Sequence, residues 1–264
     1  MKTTKTALIT GASSGIGFEL AKIHASRGGN LVLTARRIDI LENLKKELTE
    51  IFGIDVIVIQ KDLAQPGAAL DIFESVKEKG IEIDYLINNA GFGLYGKFEE
   101  QDPAELRRMI ELNINALTEL THLFLPSMIK RGSGRIMNVA STAAFQAGPL
   151  LSVYSATKAY VLHFSEGVGN EINHTGVTIT AFCPGATTTG FQETAHIQES
   201  RLVKGKRLPE ARPVALYGYD SMLRGKKVAI PGLRNAFLAA MTGFLPRAWG
   251  THMAVQGTEE SWIN

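Results

Sequence analysis

The chain has 264 residues, 45% of them hydrophobic and 8% aromatic, enough to bury a substantial core in one large domain. Its 28 basic and 26 acidic residues leave a net charge of +2 and are scattered, which argues against a nucleic-acid surface. The single cysteine, Cys183, excludes an internal disulfide, and the six dispersed histidines lack metal-ligand spacing, so a reducing cytoplasm is the expected setting and no metal is expected.

Met1 to Lys5 leads into an apolar run too short for the core of a secretion signal. That run, Thr6–Thr10, is the first predicted strand. Thr10-Gly-Ala-Ser-Ser-Gly-Ile-Gly17 then turns into a helix predicted over Gly15–Arg27. Free amides at a helix N-terminus offer donors and a positive dipole end to a pyrophosphate, and glycines let the backbone approach it. Gly11, Ser13, Ser14, Gly15, Ile16 and Gly17 are therefore expected cofactor contacts. The spacing differs from Gly-x-Gly-x-x-Gly, and no lysine follows the last glycine as a nucleoside-triphosphate loop requires.

A second strand is predicted over Asn30–Ala35, followed by Arg36 and Arg37, where an NAD-binding chain would carry a carboxylate for the ribose hydroxyls. A guanidinium there suits a 2′-phosphate, which predicts NADP(H) over NAD(H). The helix Ile38–Phe52 repeats apolar residues every three or four positions, the mark of one buried face. Next come a strand over Asp55–Gln60, a helix over Pro66–Lys79, a strand over Tyr85–Asn88 and a helix over Pro103–Arg131. Pro66 and Pro103 are read as first-turn residues, where a missing amide donor costs nothing.

The strand Gly134–Val139 delivers Ser141 to the edge where an open parallel sheet binds its ligands. A helix over Ser152–His174 carries Tyr154-Ser-Ala-Thr-Lys158. Hydride transfer to a carbonyl leaves an oxygen that must gain a proton, and tyrosine can supply it readily only if its acidity rises. Bringing its pKa from ~10 to near 7 requires about 4 kcal/mol. A lysine one helical turn away, at an effective dielectric of ~20, offers roughly that amount, with burial opposing it. The Tyr–Lys pair recurs by chance and gains weight only with Ser141 beside it.

Strands over Val177–Phe182 and Lys226–Ile230 and a helix over Arg212–Arg224 complete an alternation of strands and helices. The predicted fold is an α/β, Rossmann-like doubly wound parallel sheet of about seven strands, with helices on both faces and a short C-terminal helical extension. It forms a single domain over 1–264, with a lid at about 190–212 and an extension at about 232–264. Cys183 reads as a small buried side chain.

Taken together these motifs resemble the short-chain dehydrogenase/reductase family, from about Lys5 through Ile230 and in the family's order. The resemblance implies an NADP(H)-dependent oxidoreductase acting between a carbonyl and a secondary alcohol. In it Tyr154 is the general acid/base, Ser141 polarises the substrate oxygen, and Lys158 acidifies Tyr154 and holds the ribose. Asn113 matches the residue that anchors a water in a catalytic tetrad. Asp62 matches the acid at the adenine, with Leu63 beside it. Asn88-Asn-Ala-Gly91, including Asn89, Ala90 and Gly91, matches the segment at the fourth strand's end. Pro184, Gly185, Thr187 and Thr189 match the segment holding the nicotinamide carboxamide. Ala140 stands where many relatives have a serine. The long tail is more like that of hydroxysteroid and long-chain 3-ketoacyl reductases.

Phe92, Phe145, Leu150 and Phe191 are expected to line an apolar pocket for a small-molecule substrate with an apolar body. The long helices near Pro103 and Ser152 are the family's association surface, which implies a homodimer or homotetramer. Phe237, Leu238, Met241, Phe244, Leu245 and Trp249 form a greasy tail, read as packing on the core or a partner in preference to touching a membrane. The rival readings are a non-catalytic NADP(H)-sensing or scaffold protein, which has no reason to keep Ser141, Tyr154 and Lys158 together, and a sugar-nucleotide epimerase, whose glycine spacing differs.

Overall fold

The structure is a computed structural model that describes residues 4–190 and 207–242. Seven parallel strands form one sheet in the order β3-β2-β1-β4-β5-β6-β7. They are β1 (Thr6–Thr10), β2 (Asn30–Ala35), β3 (Val56–Gln60), β4 (Tyr85–Asn88), β5 (Gly134–Val139), β6 (Val177–Phe182) and β7 (Val228–Ala229). The helices are α1 (Gly15–Ser26), α2 (Ile38–Phe52), α3 (Ala68–Glu78), α4 (Pro103–Ile110), α5 (Leu117–Arg131), α6 (Ser152–Glu171), α7 (Ala211–Leu223) and α8 (Leu233–Thr242). The strand order reverses between β1 and β4, opening a crevice at their C-terminal ends.

The alternating pleat explains why the strands read as nearly unbroken apolar runs. Ala7 and Ile9 of β1 enter a core shared with α1, α2 and α7, while Leu8 between them enters the opposite core with α3 and α5. Leu31 and Leu33 divide from Val32 in the same way. In these central strands the side chains that would face water in a one-sided sheet have a helix over them instead.

Several element boundaries differ from the sequence reading. Pro66 is not in the first turn of α3, because Gly67, at φ +76°, is the N-cap and α3 begins at Ala68. A turn closed by the Ala68 amide on the Gln65 carbonyl comes first. The predicted helix Pro103–Arg131 is interrupted by a π-helical turn over Glu111–Ala116. Its start is as read, with Pro103 in the first turn and Asp102 Oδ1 accepting from the Ala104 amide at 2.8 Å. The last strand is only Val228–Ala229.

A buried polar contact fastens α1 to α7 at the end of the sheet opposite the crevice. His24 is 2% exposed, with Nδ1 2.6 Å from the Tyr219 hydroxyl and Nε2 3.1 Å from the Lys5 carbonyl. A carbonyl only accepts, so Nε2 carries the proton and Tyr219 donates to Nδ1. Burial lowers the His24 pKa from its ordinary value. The unfolded chain therefore binds this proton more readily, and stability is full above about pH 6.5 and declines as pH falls through that value. Urea denaturation between pH 7.5 and 5.5 should show this loss, and His24→Gln should flatten it.

Candidate active site

The glycine loop sits in the crevice, stitched to the end of β4. Thr10 Oγ1 accepts from the Asn89 and Ala90 amides, both at 2.9 Å, and Asn89 Nδ2 donates to the carbonyls of Thr10 at 2.9 Å and Gly11 at 3.3 Å. Gly11 and Gly15 have φ of +66° and +57°, the left-handed region that glycine enters without penalty. A Cβ on Gly17 would lie 2.4 Å from both Asn89 Nδ2 and the Gly11 carbonyl oxygen. The backbone of Gly15, Ile16 and Gly17 opens α1, where helix geometry leaves amides without intrahelical partners. Ser14 is the extended N-cap residue. The cradle, its dipole and its donors fit a pyrophosphate.

The two arginines after β2 have different surroundings. Arg37 donates from Nη2 to the Ser13 carbonyl at 3.0 Å and its hydroxyl at 3.1 Å, stapling the loop. Arg36 is exposed, and among the described residues its guanidinium has neither hydrogen bond nor ion pair. Asp62 Oδ1 caps the Ala64 amide at 3.1 Å and Oδ2 meets Arg108 Nη2 at 3.3 Å, while Leu63 is buried in the core.

Beyond the loop the polar groups converge. Ser141, just past β5, accepts from the Ala143 amide at 3.1 Å and hydrogen-bonds Tyr154. Tyr154 and Lys158 are buried on the first turns of α6, and Lys158 Nζ donates to the Val139 carbonyl at 2.8 Å. Asn113 lies in the π-helical turn, 1% exposed; its Oδ1 accepts from the Phe92 amide at 3.2 Å. Its Nδ2 donates to the Phe92 carbonyl at 2.9 Å and Thr157 Oγ1 at 3.1 Å. Gly91 separates Asn113 from Lys158: a Cβ there would stand 3.0 Å from Asn113 Oδ1 and 3.3 Å from Lys158 Nζ.

Burial dominates the electrostatics of the pair. Burial pushes the Tyr154 pKa up to about 12, only partly offset by the Ser141 hydrogen bond, and lowers that of Lys158 to about 8. Lys158 Nζ lies 5.8 Å from the centroid of the Tyr154 ring and is directed at a carbonyl. Within the chain alone, desolvation outweighs the Ser141 hydrogen bond, and the phenol stays protonated at neutral pH. Burial also raises the Cys183 thiol to about 12, in keeping with an inert core residue.

The segment after β6 closes the other side. The Thr142 amide donates to the Pro184 carbonyl at 2.9 Å, and Thr187 Oγ1 to the Gly185 carbonyl at 2.9 Å. Thr189 packs on Gly15, where a Cβ would be 3.0 Å away, joining this segment to the glycine loop. Phe92 packs in a cluster with Tyr154, Met109 and Leu151. Phe145, half-buried, packs against the cluster that contains Leu117, Ala140, Val161 and Cys183. Phe191 and most of the expected lid lie outside the described residues. Leu150 takes φ +62°, a conformation costing a non-glycine residue about 1 kcal/mol or more, and its carbonyl accepts from the Gly96 amide at 2.9 Å.

Sequence reading missed Thr10, which joins the loop to β4, and Thr157, which joins Asn113 to α6. Thr10 was legible as the strand residue directly before Gly11. Thr157 lies inside the Tyr154–Lys158 stretch but has no spacing signal of its own.

A family model described as short chain dehydrogenase matches residues 5–200. The chain belongs to the short-chain dehydrogenase family. It is an oxidoreductase of that family, with the seven-stranded Rossmann-like sheet the motifs predicted. Among its relatives, the very-long-chain 3-oxoacyl-CoA reductase of Anas platyrhynchos is 35% identical over 67% of this chain and 58% of its own length. The human 17-beta-hydroxysteroid dehydrogenase type 3 is 38% identical over 70% of this chain and 60% of its own. The chain thus matches less than two thirds of either relative. A solved short-chain dehydrogenase from Sphingobium yanoikuyae in complex with NADPH superposes with a TM-score of 0.81 at 33% identity, covering 91% of this chain and 94% of that one. No helix among the described residues is long and apolar enough to cross a membrane.

Proposed function

We propose that this short-chain dehydrogenase reduces a carbonyl, or oxidises the corresponding secondary alcohol, with NADP(H). The observation that carries this reading is the convergence of a half-buried Ser141, hydrogen-bonded to Tyr154, with buried Tyr154 and Lys158, beside a glycine loop whose backbone fits a pyrophosphate. The bound nicotinamide supplies or accepts the hydride. Tyr154, protonated at neutral pH, delivers its proton to the substrate oxygen as charge develops there. Ser141 donates a hydrogen bond to that oxygen or to the phenolate left behind, holding both in register. Lys158 places a positive charge behind Tyr154, which lowers the cost of the phenolate state. Asn113 holds Phe92 and Thr157, and so aligns the β4 segment with α6.

For the cofactor, the amides of Gly15, Ile16 and Gly17 face the pyrophosphate, with Gly11, Ser13 and Ser14 shaping the loop. Asp62 and the backbone of Leu63 would flank the adenine, Asn89, Ala90 and Gly91 would line the ribose side, and Pro184, Gly185, Thr187 and Thr189 would hold the carboxamide. Arg36 meets the 2′-phosphate, while Arg37 is committed to Ser13. Phe92, with Leu94 and Tyr95 packed in the Tyr154 cluster, offers an apolar wall to the substrate. Both relatives are named for substrates with a large apolar part, a very-long-chain acyl group in one and a steroid in the other, which supports that substrate class here. Ile110, Ile129 and Tyr160, exposed on α4, α5 and α6, favour association of those helices in a homo-oligomer.

Steady-state turnover of a ketone panel with NADPH and with NADH tests this. NADPH should be preferred, and Arg36→Ala should raise its KM about 10- to 100-fold, the worth of a charge-assisted phosphate contact, while leaving the NADH value nearly unchanged. A preference for NADH would overturn the NADP(H) assignment. NADPH binding with no turnover of any carbonyl or alcohol would favour the sensor reading.

A further inference from the structure

The helix beyond the last strand touches the segment expected to hold the nicotinamide. Helix α8 packs against residues 142–145, the turn that follows Ser141. From its first turns Asn235 reaches the backbone of Gly185, where a Cβ would stand only 2.9 Å from Asn235 Nδ2. The amide cannot easily retreat, because Nδ2 also donates to the Pro231 carbonyl at 3.0 Å. The Pro184–Gly185 backbone is thus hydrogen-bonded by the Thr142 amide and the Thr187 hydroxyl and packed on a third side by the Asn235 carboxamide. The first two come from the site itself. The third comes from the extension.

We propose that Asn235 is a positioning residue that sets the depth of the Pro184–Gly185 segment through contact with Gly185, and so tunes the grip on the nicotinamide end of the cofactor. This rests on the NADP(H) reading above. A side chain at 185 would have to displace the Asn235 amide, which the hydrogen bond to the Pro231 carbonyl holds in place. Removing either partner should let the segment shift, with little change in the distant core.

A double-mutant cycle tests the contact, reading NADPH Kd by fluorescence titration and thermal stability for wild type, Gly185→Ala, Asn235→Ala and the double variant. Gly185→Ala should weaken NADPH about tenfold or more and Asn235→Ala several-fold, each with a small change in Tm. The double variant should bind better than the product of the two losses, because the added methyl enters the space the amide leaves, a coupling of contacting residues. Asn235→Asp, of the same shape but with no donor for the Pro231 carbonyl, should lose affinity as Asn235→Ala does. Losses that simply multiply, or an Asn235→Ala variant with lowered Tm and unchanged Kd, would overturn the positioning role while leaving the cofactor reading intact. Wild-type protein that binds neither NADPH nor NADH would overturn that reading, and the positioning role with it.

Discussion

Replacing Tyr154 with Phe should lower kcat for ketone reduction by about 10²- to 10⁴-fold, the range that a positioned proton donor contributes. NADPH affinity should change little, because the ring and its packing with Phe92, Met109 and Leu151 remain. The loss should fall on kcat and kcat/KM alike, since the proton moves only in the transition state. The free protein holds the phenol up to about 12 by burial, so the donor is fully charged with its proton across neutral pH. Carbonyl reduction by the wild type should therefore persist through pH 7 without an ionisation of Tyr154 cutting it off. Stopped-flow NADPH oxidation with both proteins measures the effect. Parallel collapse of cofactor binding and rate would assign Tyr154 to cofactor binding instead.

Gly17→Ala should damage the cofactor cradle as a whole. The added Cβ would stand 2.4 Å from the Gly11 carbonyl oxygen, which is backbone, and equally close to Asn89 Nδ2, which ties β1 to β4. Neither can yield without moving the loop that offers its amides to the pyrophosphate. Overpacking of this kind costs about 1–3 kcal/mol, so Tm should drop and NADPH affinity should fall by at least tenfold. Gly167→Ala is the control: it lies within α6 with nothing within 4 Å of the added methyl, and should be neutral or stabilising by up to about 1 kcal/mol. Calorimetry and NADPH titration on both variants separate a local clash from a general intolerance of alanine. Gly17→Ala with wild-type affinity would remove the close approach from the account.

Much of this architecture was legible in one dimension, and particular residues show why. Leu8, Val32 and their neighbours read as buried strands because both sheet faces are covered, which turns a pleat into a continuous apolar run. Thr10 to Gly17 announced the crevice, since a strand, a glycine turn and a helix start are all local geometry. Tyr154 and Lys158 share a helical face by spacing alone. The π-helical turn at Glu111–Ala116 was invisible, because Glu-Leu-Asn-Ile-Asn-Ala fits an ordinary helix and only its packing against Phe92 and Thr157 distinguishes it. Pro66 misled for a related reason: a proline just before a helix and one inside its first turn look alike until Gly67 is seen in the left-handed region.

What the residue order determined by itself was the alternation of elements, the place of the glycine loop and the placing of Tyr154 and Lys158 on one helical face. These follow from steric and periodic preferences acting over a few neighbouring residues. The tertiary structure decided which arginine is spent on Ser13, how strongly burial holds the proton on Tyr154, and which distant side chain presses on Gly185. Those outcomes depend on desolvation and on contacts between segments far apart in sequence, which exist only once the chain has folded.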